Sequence, residues 1–155
     1  MNRALEAALK APVVMYDVGL GRVVGHRFLL LTHRGRKSGL VHRTMLEVLR
    51  WEPGSRTAYV ISGLGRGSQW LKNLQAGQGL EVRCGGDRFV PTHRLLTTDE
   101  AAVVLEDYER AHGLAARLIP GVLNRLADVD YDGTDASRRR VVEQLPILTL
   151  TPALH

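Results

Sequence analysis

The sequence predicts an α+β fold in which helices flank an antiparallel sheet or small barrel. Three observations predict it. β-patterned runs joined by glycine turns fill residues 26–62, one short helical pattern is inserted at 68–76, and a hairpin, a helical stretch and a closing strand follow. At 155 residues, with 45% apolar and 24% charged residues, the chain is one domain over 1–155, large enough to bury a core without staples. The lone cysteine, Cys84, leaves no disulfide framework and no cysteine-rich zinc site. No apolar run is long enough to span a bilayer, and Glu6 and Lys10 interrupt any signal-peptide core, so a cytoplasmic protein is expected.

Residues 2–10 read as a short helix with Leu5, Ala8 and Leu9 on one face and Pro12 beyond its end. Val13, Tyr16, Leu20 and Val23 continue a helical stripe that Gly19 and Gly21 weaken, and Val13-Val14 equally fits a strand; the helical reading gives an N-terminal helical segment over 1–24. Strands follow at 26–34, 41–50 and 57–62, separated by the turn Gly35–Gly39 and by Glu52-Pro53-Gly54-Ser55. Ser68 is an N-cap residue type for a helix over 68–76, and Gly77 stands just past its end. Residues 80–84 and 88–96 flank Gly85-Gly86-Asp87 as a hairpin, so the barrel strands occupy 26–96. A helical segment spans 99–127: Val103, Val104 and Tyr108 set its first helix, and 113–127 is a second helix or broken turns. The closing strand is 145–151, after Arg138-Arg139-Arg140.

Charge is concentrated at one end. Residues 1–50 carry nine Lys/Arg against three Asp/Glu, whereas the remainder carries twelve against thirteen, so the whole excess of +5 lies in the first third. Its densest stretch is His33-Arg34-Gly35-Arg36-Lys37, and 18 of the 21 basic residues are Arg, the side chain suited to bidentate anion contacts. A localised field of this kind favours an anionic partner. No aromatic residue interleaves with the charges between His33 and Gly39, so a stacking platform for nucleic acid is absent and none is expected as partner. The six histidines make no helical i, i+4 pair and sit beside no carboxylate cluster, so no metal site is expected. Gly19, Gly21 and Gly25 lack the strand–helix context of a dinucleotide fingerprint.

Two glycine loops carry chemistry. The first sets Arg36, Lys37 and Ser38 in a tight turn with His42 and Arg43 nearby, where backbone N–H groups and cations together can hold an anion. The second runs from Ser62 through Gly63, Leu64 and Gly65 to Gly67 and opens a helix carrying Trp70 and Asn73. Taken alone, Trp70 reads as a core residue, or as one flank of a flat ring.

The segments Leu29–Gly39, Arg43–Val48 and Ser62–Leu74 resemble the deazaflavin-dependent nitroreductase family of the flavin/deazaflavin oxidoreductase superfamily, and the resemblance runs over about residues 12–151. It implies a split β-barrel of about six to seven mostly antiparallel strands with flanking helices. It implies coenzyme F420, with FMN as the alternative. The phosphate falls on Arg36, Lys37, Ser38 and Gly39, with His42 or Arg43 beside it. The deazaflavin ring falls on Ser62, Gly63, Leu64 and Gly65, with Trp70 and Asn73 on the helix, which moves Trp70 to the pocket edge. The implied activity is hydride transfer from reduced deazaflavin to a small electrophilic acceptor such as a quinone, enone or nitro compound. Ser62 would bond the ring or the substrate, and Tyr108 or Tyr131 would donate a proton. The alternatives are an FMN-binding split barrel and a non-catalytic F420 or ligand carrier. A homodimer is implied by the resemblance alone.

Overall fold

The computed structural model describes residues 25–63, 65–112 and 131–154. Its strands are β1 (Phe28–Arg34), β2 (Val41–Glu52), β3 (Thr57–Ile61), β4 (Gly79–Cys84), β5 (Asp87–Phe89), β6 (Pro91–Leu95) and β7 (Ile147–Pro152). Three helices lie among the described residues: α1 (Gln69–Gln75), α2 (Thr98–His112) and α3 (Asp135–Gln144). The helices expected at 2–10 and 12–24, and the second helix or broken turns expected at 113–127, fall outside the described residues.

All strand pairs are antiparallel, in the order β5-β4-β1-β2-β3-β7-β6. The two edge strands, β5 and β6, are separated in sequence by Val90 alone. A sheet whose opposite edges are joined by one residue has to curl until they meet, and the result is a nearly closed split barrel. The single strand expected over 88–96 is therefore two strands on opposite edges. Pro91 marks the break, because proline cannot donate to a ladder and belongs at the first residue of a strand. Val90 O accepts the Ala153 N–H at 2.8 Å and fixes the crossing. The preceding hairpin turns on Gly85-Gly86, with Gly85 at φ +58 and Cys84 paired with Asp87.

Period-2 alternation fills the barrel. Leu29 and Leu31 of β1, Leu46 and Val48 of β2, Ala58 and Val60 of β3, Val82 and Cys84 of β4, and Leu148 and Leu150 of β7 form one interior cluster. α1 contributes Trp70, Leu71 and Leu74 to the same cluster. A second cluster lies on the outer face of β2, β3 and β7, where Ala101, Val104, Leu105 and Tyr108 of α2 and Val141 and Val142 of α3 pack on Leu49, Ile61 and Ile147. β2 serves both clusters by alternation, and its pairing with β3 shifts register between Val48 and Arg50. This bulge turns Leu49 and Arg50 to the outer face together and returns Trp51 to the inner one.

α3 was not legible as a helix in its charged sequence. Thr134 caps it, accepting the Ser137 N–H at 3.2 Å, and Arg138 is buried against carboxylates on α2, reaching Glu109 at 3.4 Å. Ser68 also differs from expectation. It stands at the N-cap of α1, but its hydroxyl donates to Gly65 O at 3.0 Å instead of accepting from the helix. No helix among the described residues is long and apolar enough to cross a membrane.

Cys84 is fully buried in the barrel wall, and its thiol is pushed up to about 12 by burial and then by Asp87. The thiolate is the reactive form. At pH 8 a thiol reagent should leave Cys84 unmodified in the native protein and label it on unfolding in denaturant. Rapid labelling of the native protein would show that the β4 wall opens.

Candidate functional site

The β1–β2 connection is a closed loop. Gly35 N–H donates to Leu40 O at 2.8 Å, Gly39 N–H donates to Gly35 O at 2.9 Å, and Leu40 N–H donates to Ser38 Oγ at 3.2 Å. Gly39 takes φ +74, the left-handed region that favours glycine. A Cβ at Gly35 would stand 2.4 Å from Ser38 Oγ and force that hydroxyl to move. The Arg34 guanidinium donates to Gly39 O at 3.0 Å. With backbone and Ser38 hydroxyl closing the ring of bonds, the side chains of Arg36 and Lys37 project from a fixed frame.

α1 grips this turn through one amide. Asn73 Oδ1 accepts both the Arg36 backbone N–H at 3.1 Å and Arg36 Nη1 at 2.9 Å. Gln69, one helical turn earlier, takes a second bond from Arg36 Nη1 at 3.0 Å. With Oδ1 committed to donors, Nδ2 of Asn73 is the group that faces His33 Nδ1 at 3.0 Å. Nδ2 only donates, so His33 Nδ1 must accept, and the imidazole proton sits on Nε2, which donates to Thr44 Oγ1 at 3.0 Å. Both His33 and Asn73 are 3% exposed. Burial, and then His42, push the His33 pKa below its ordinary value, which keeps it neutral as this pattern requires.

Between the turn and α1 lies an open cleft of about 550 Å³. Arg36, Lys37 and Ser38 form one side, His42 and Arg43 of β2 the second, and Trp70 and Asn73 of α1 the third. Its described lining includes three cations and no carboxylate, an arrangement that favours an anion. Arg36 spends only Nη1 on described partners, leaving the other edge of its guanidinium for a ligand. Trp70 belongs to the barrel core and lines the cleft as well, at 7% exposure. Among the described residues no group of His, Cys, Asp and Glu is arranged to hold a metal ion.

The other sequence candidates lie elsewhere. Gly39 is in the turn but outside the lining. Ser62, Gly63 and Gly65 are buried beside the cleft, where Ser62 Oγ donates to Gly65 O at 2.6 Å and meets Ser68 Oγ at 2.8 Å, clasping the loop that leads into α1. Leu64 falls outside the described residues. Tyr108 is buried between α2 and β2, its hydroxyl donating to the Glu47 carboxylate, and the Tyr131 hydroxyl donates to Glu109. Neither tyrosine lines the cleft. The lining adds His33, Gly35, Thr44, Ser68 and Gln69, which sequence reasoning did not single out as site residues. Strand alternation held the signal for two of them: Leu29, Leu31 and His33 share one face of β1, as Leu46 and Thr44 do on β2, so the apolar interior passes into the polar cleft along both strands.

A family model described as F420H(2)-dependent quinone reductase matches residues 11–116. A solved structure described as an F420-H2 dependent reductase (FDR-A) superposes with a TM-score of 0.50 at 15% identity, covering 81% of this chain and 95% of that one. A second, described as a domain-swapped dimer, superposes with a TM-score of 0.50 at 14% identity, covering 90% of this chain and 98% of that one. At these identities the two structures speak for the fold alone. No curated protein matches this chain.

The steric fit between Gly35 and Ser38 generates a coupled prediction. Gly35→Ala should displace the Ser38 hydroxyl from Leu40 N–H and lower stability by about 1 kcal/mol, the worth of a typical hydrogen bond. In a Ser38→Ala background the same substitution should cost much less, because the obstructing atom is gone. Thermal denaturation of the four proteins in the cycle measures this, and additive losses would place the strain outside the turn.

Proposed function

This chain belongs to the F420H(2)-dependent quinone reductase family, oxidoreductases whose coenzyme is F420, and from that premise we propose that it delivers hydride from reduced F420, held in the cationic cleft, to a small electrophilic acceptor of the quinone, enone or nitro class. The observation that carries the reading is the pairing of a cation-only lining with the Trp70 wall in one cleft. A phosphate-bearing, flat-ringed coenzyme presents the complementary surfaces, an anion at one end and an apolar face at the other.

The residues present fit such a group. Arg36, oriented by Asn73 and Gln69, and Lys37, which makes no ion pair with described residues, supply charge-assisted donors for the phosphate. Ser38 presents its hydroxyl at the same turn, and His42 and Arg43 extend the positive rim along β2. Trp70 offers an apolar flank for the ring and, by filling the barrel side of the cleft, keeps water from that face. When bound, the reduced coenzyme supplies the hydride, so the protein's task is position, electrostatics and exclusion of water.

The charge argument gives the test. Arg36→Ala combined with Lys37→Ala should weaken F420 binding by at least roughly tenfold and flatten its dependence on ionic strength, since two charge-assisted contacts are lost. Parallel titrations of the wild-type protein with F420, FMN and FAD should show F420 bound in preference. Unchanged F420 affinity in the double variant would falsify the assignment of the turn.

A further inference from the structure

We propose that His33 is a positioning residue of the coenzyme turn: its neutral imidazole holds the Asn73 amide in the one orientation that fixes Arg36, and protonating it releases Arg36 and the anion. The proposal rests on the reading of the cleft as the coenzyme site. His33 is buried at the end of the β1 interior face, and its ring nitrogens are spent on Asn73 and Thr44. The chain of bonds has one direction: Thr44 receives from His33, His33 receives from Asn73, and Asn73 receives twice from Arg36.

That direction makes the arrangement sensitive to one proton. A proton added at His33 Nδ1 sets an N–H donor against the Asn73 Nδ2 donor. The amide relieves this by rotating half a turn, which turns Oδ1 to the imidazolium and Nδ2 to Arg36. Two donors of Arg36, its backbone N–H and Nη1, then face a donor and lose their acceptor. Gln69 remains on the guanidinium, but the backbone of the turn is no longer tied to α1.

Among the described residues, the groups facing His33 include no carboxylate that would favour its charged form. β2 sets His42 against it, the ring centroids 5.6 Å apart, with Thr44 beside it; β4 opposes it with Gly79; α1 presents the Asn73 amide; and the turn presents Arg36 beyond that amide. Burial and His42 both lower its pKa. A histidine whose folded-state pKa lies below its unfolded value binds fewer protons folded than unfolded, so the stability it confers is fully present above about pH 6.5 and is lost as the pH falls below that. Coenzyme affinity should follow the same course. The sign is opposite to simple electrostatics, under which protonating His33 and His42 would tighten an anion.

The experiment is a titration of F420 from pH 7.5 to pH 5, read by quenching of tryptophan emission, on the wild-type protein, His33→Gln and His33→Leu, with melting temperatures alongside. Gln supplies an acceptor and a donor but no titrating proton, whereas Leu removes both. Wild type should lose about tenfold in affinity toward pH 5 beyond any loss in His33→Gln, and His33→Gln should stay within about threefold of wild type at pH 7.5. His33→Leu should be weaker by about tenfold at pH 7.5, without the extra acid loss. Titration of the coenzyme itself is common to all three proteins, so the difference between wild type and His33→Gln isolates this imidazole. The proposal is overturned if His33→Gln weakens with acid as wild type does, or if His33→Leu folds and binds at pH 7.5 as tightly as wild type. If His33→Leu does not fold, the comparison with His33→Gln alone decides. Wild-type protein that fails to bind F420 at pH 7.5 overturns the reading of the cleft itself, a result distinct from the other two.

Discussion

The covalent link through Val90 is the constraint from which the architecture follows. It joins strands that occupy opposite edges of a seven-stranded sheet, and an open sheet cannot satisfy a connection of one residue between its edges. Closure creates an interior, and that interior has to be filled to the density of any protein core. β strands alone supply mostly Leu, Val and Ala side chains; the remaining volume takes the apolar face of α1. Once Trp70, Leu71 and Leu74 are committed to the barrel, the neighbouring positions Gln69 and Asn73 are carried to the β1–β2 turn. The cleft is thus a by-product of filling the barrel.

Apolar burial and polar bonding divide the work at this junction. Burial places α1, but it is non-directional and leaves the helix free to shift by small amounts along the barrel. The amide of Asn73 removes that freedom, because its acceptor and donor sides meet partners of opposite demand on two different segments. Each bond contributes only about 1 kcal/mol to stability, yet each would leave a buried polar group unsatisfied if the helix moved. A site that must hold a charged group in a fixed position gains more from this kind of restraint than from additional apolar contact.

Much of this was legible in the sequence, and what was not has identifiable causes. The glycine turn, the three strands around it and the helix bearing Trp70 were read from local signals, since turn chemistry and alternation act within a few residues. The break at Val90 was missed although Pro91 marks it, because Phe89 and Val90 prolong the apolar look of the strand. α3 was missed because Arg138, Arg139 and Arg140 look like a solvated run. Arg138 is instead buried by partners on α2, a fact that depends on tertiary pairing. At the site, the residues with exposed charge were found, while His33 and Thr44 were not. Their part comes from bonds across the β1–β2 register and to α1, and only the interior phase of β1 hinted at it. Ser62 read as a group facing a ligand, and its hydroxyl is instead occupied within its own loop.

The bulge in β2 has a consequence for how such a protein changes over time. Leu46 and Val48 of β2 face the barrel while Glu47, Leu49 and, through the bulge, Arg50 face outward, so this strand, like β3 and β7, lines two cores that share backbone but no side-chain layer. Substitutions in the outer layer under α2 and α3 are then felt by the barrel only through the shared backbone of β2, β3 and β7. The outer helices are free to diverge in sequence and length while the interior and the β1–β2 turn stay as they are. A lineage built on this plan can explore new surfaces over one half of the molecule without retuning the other.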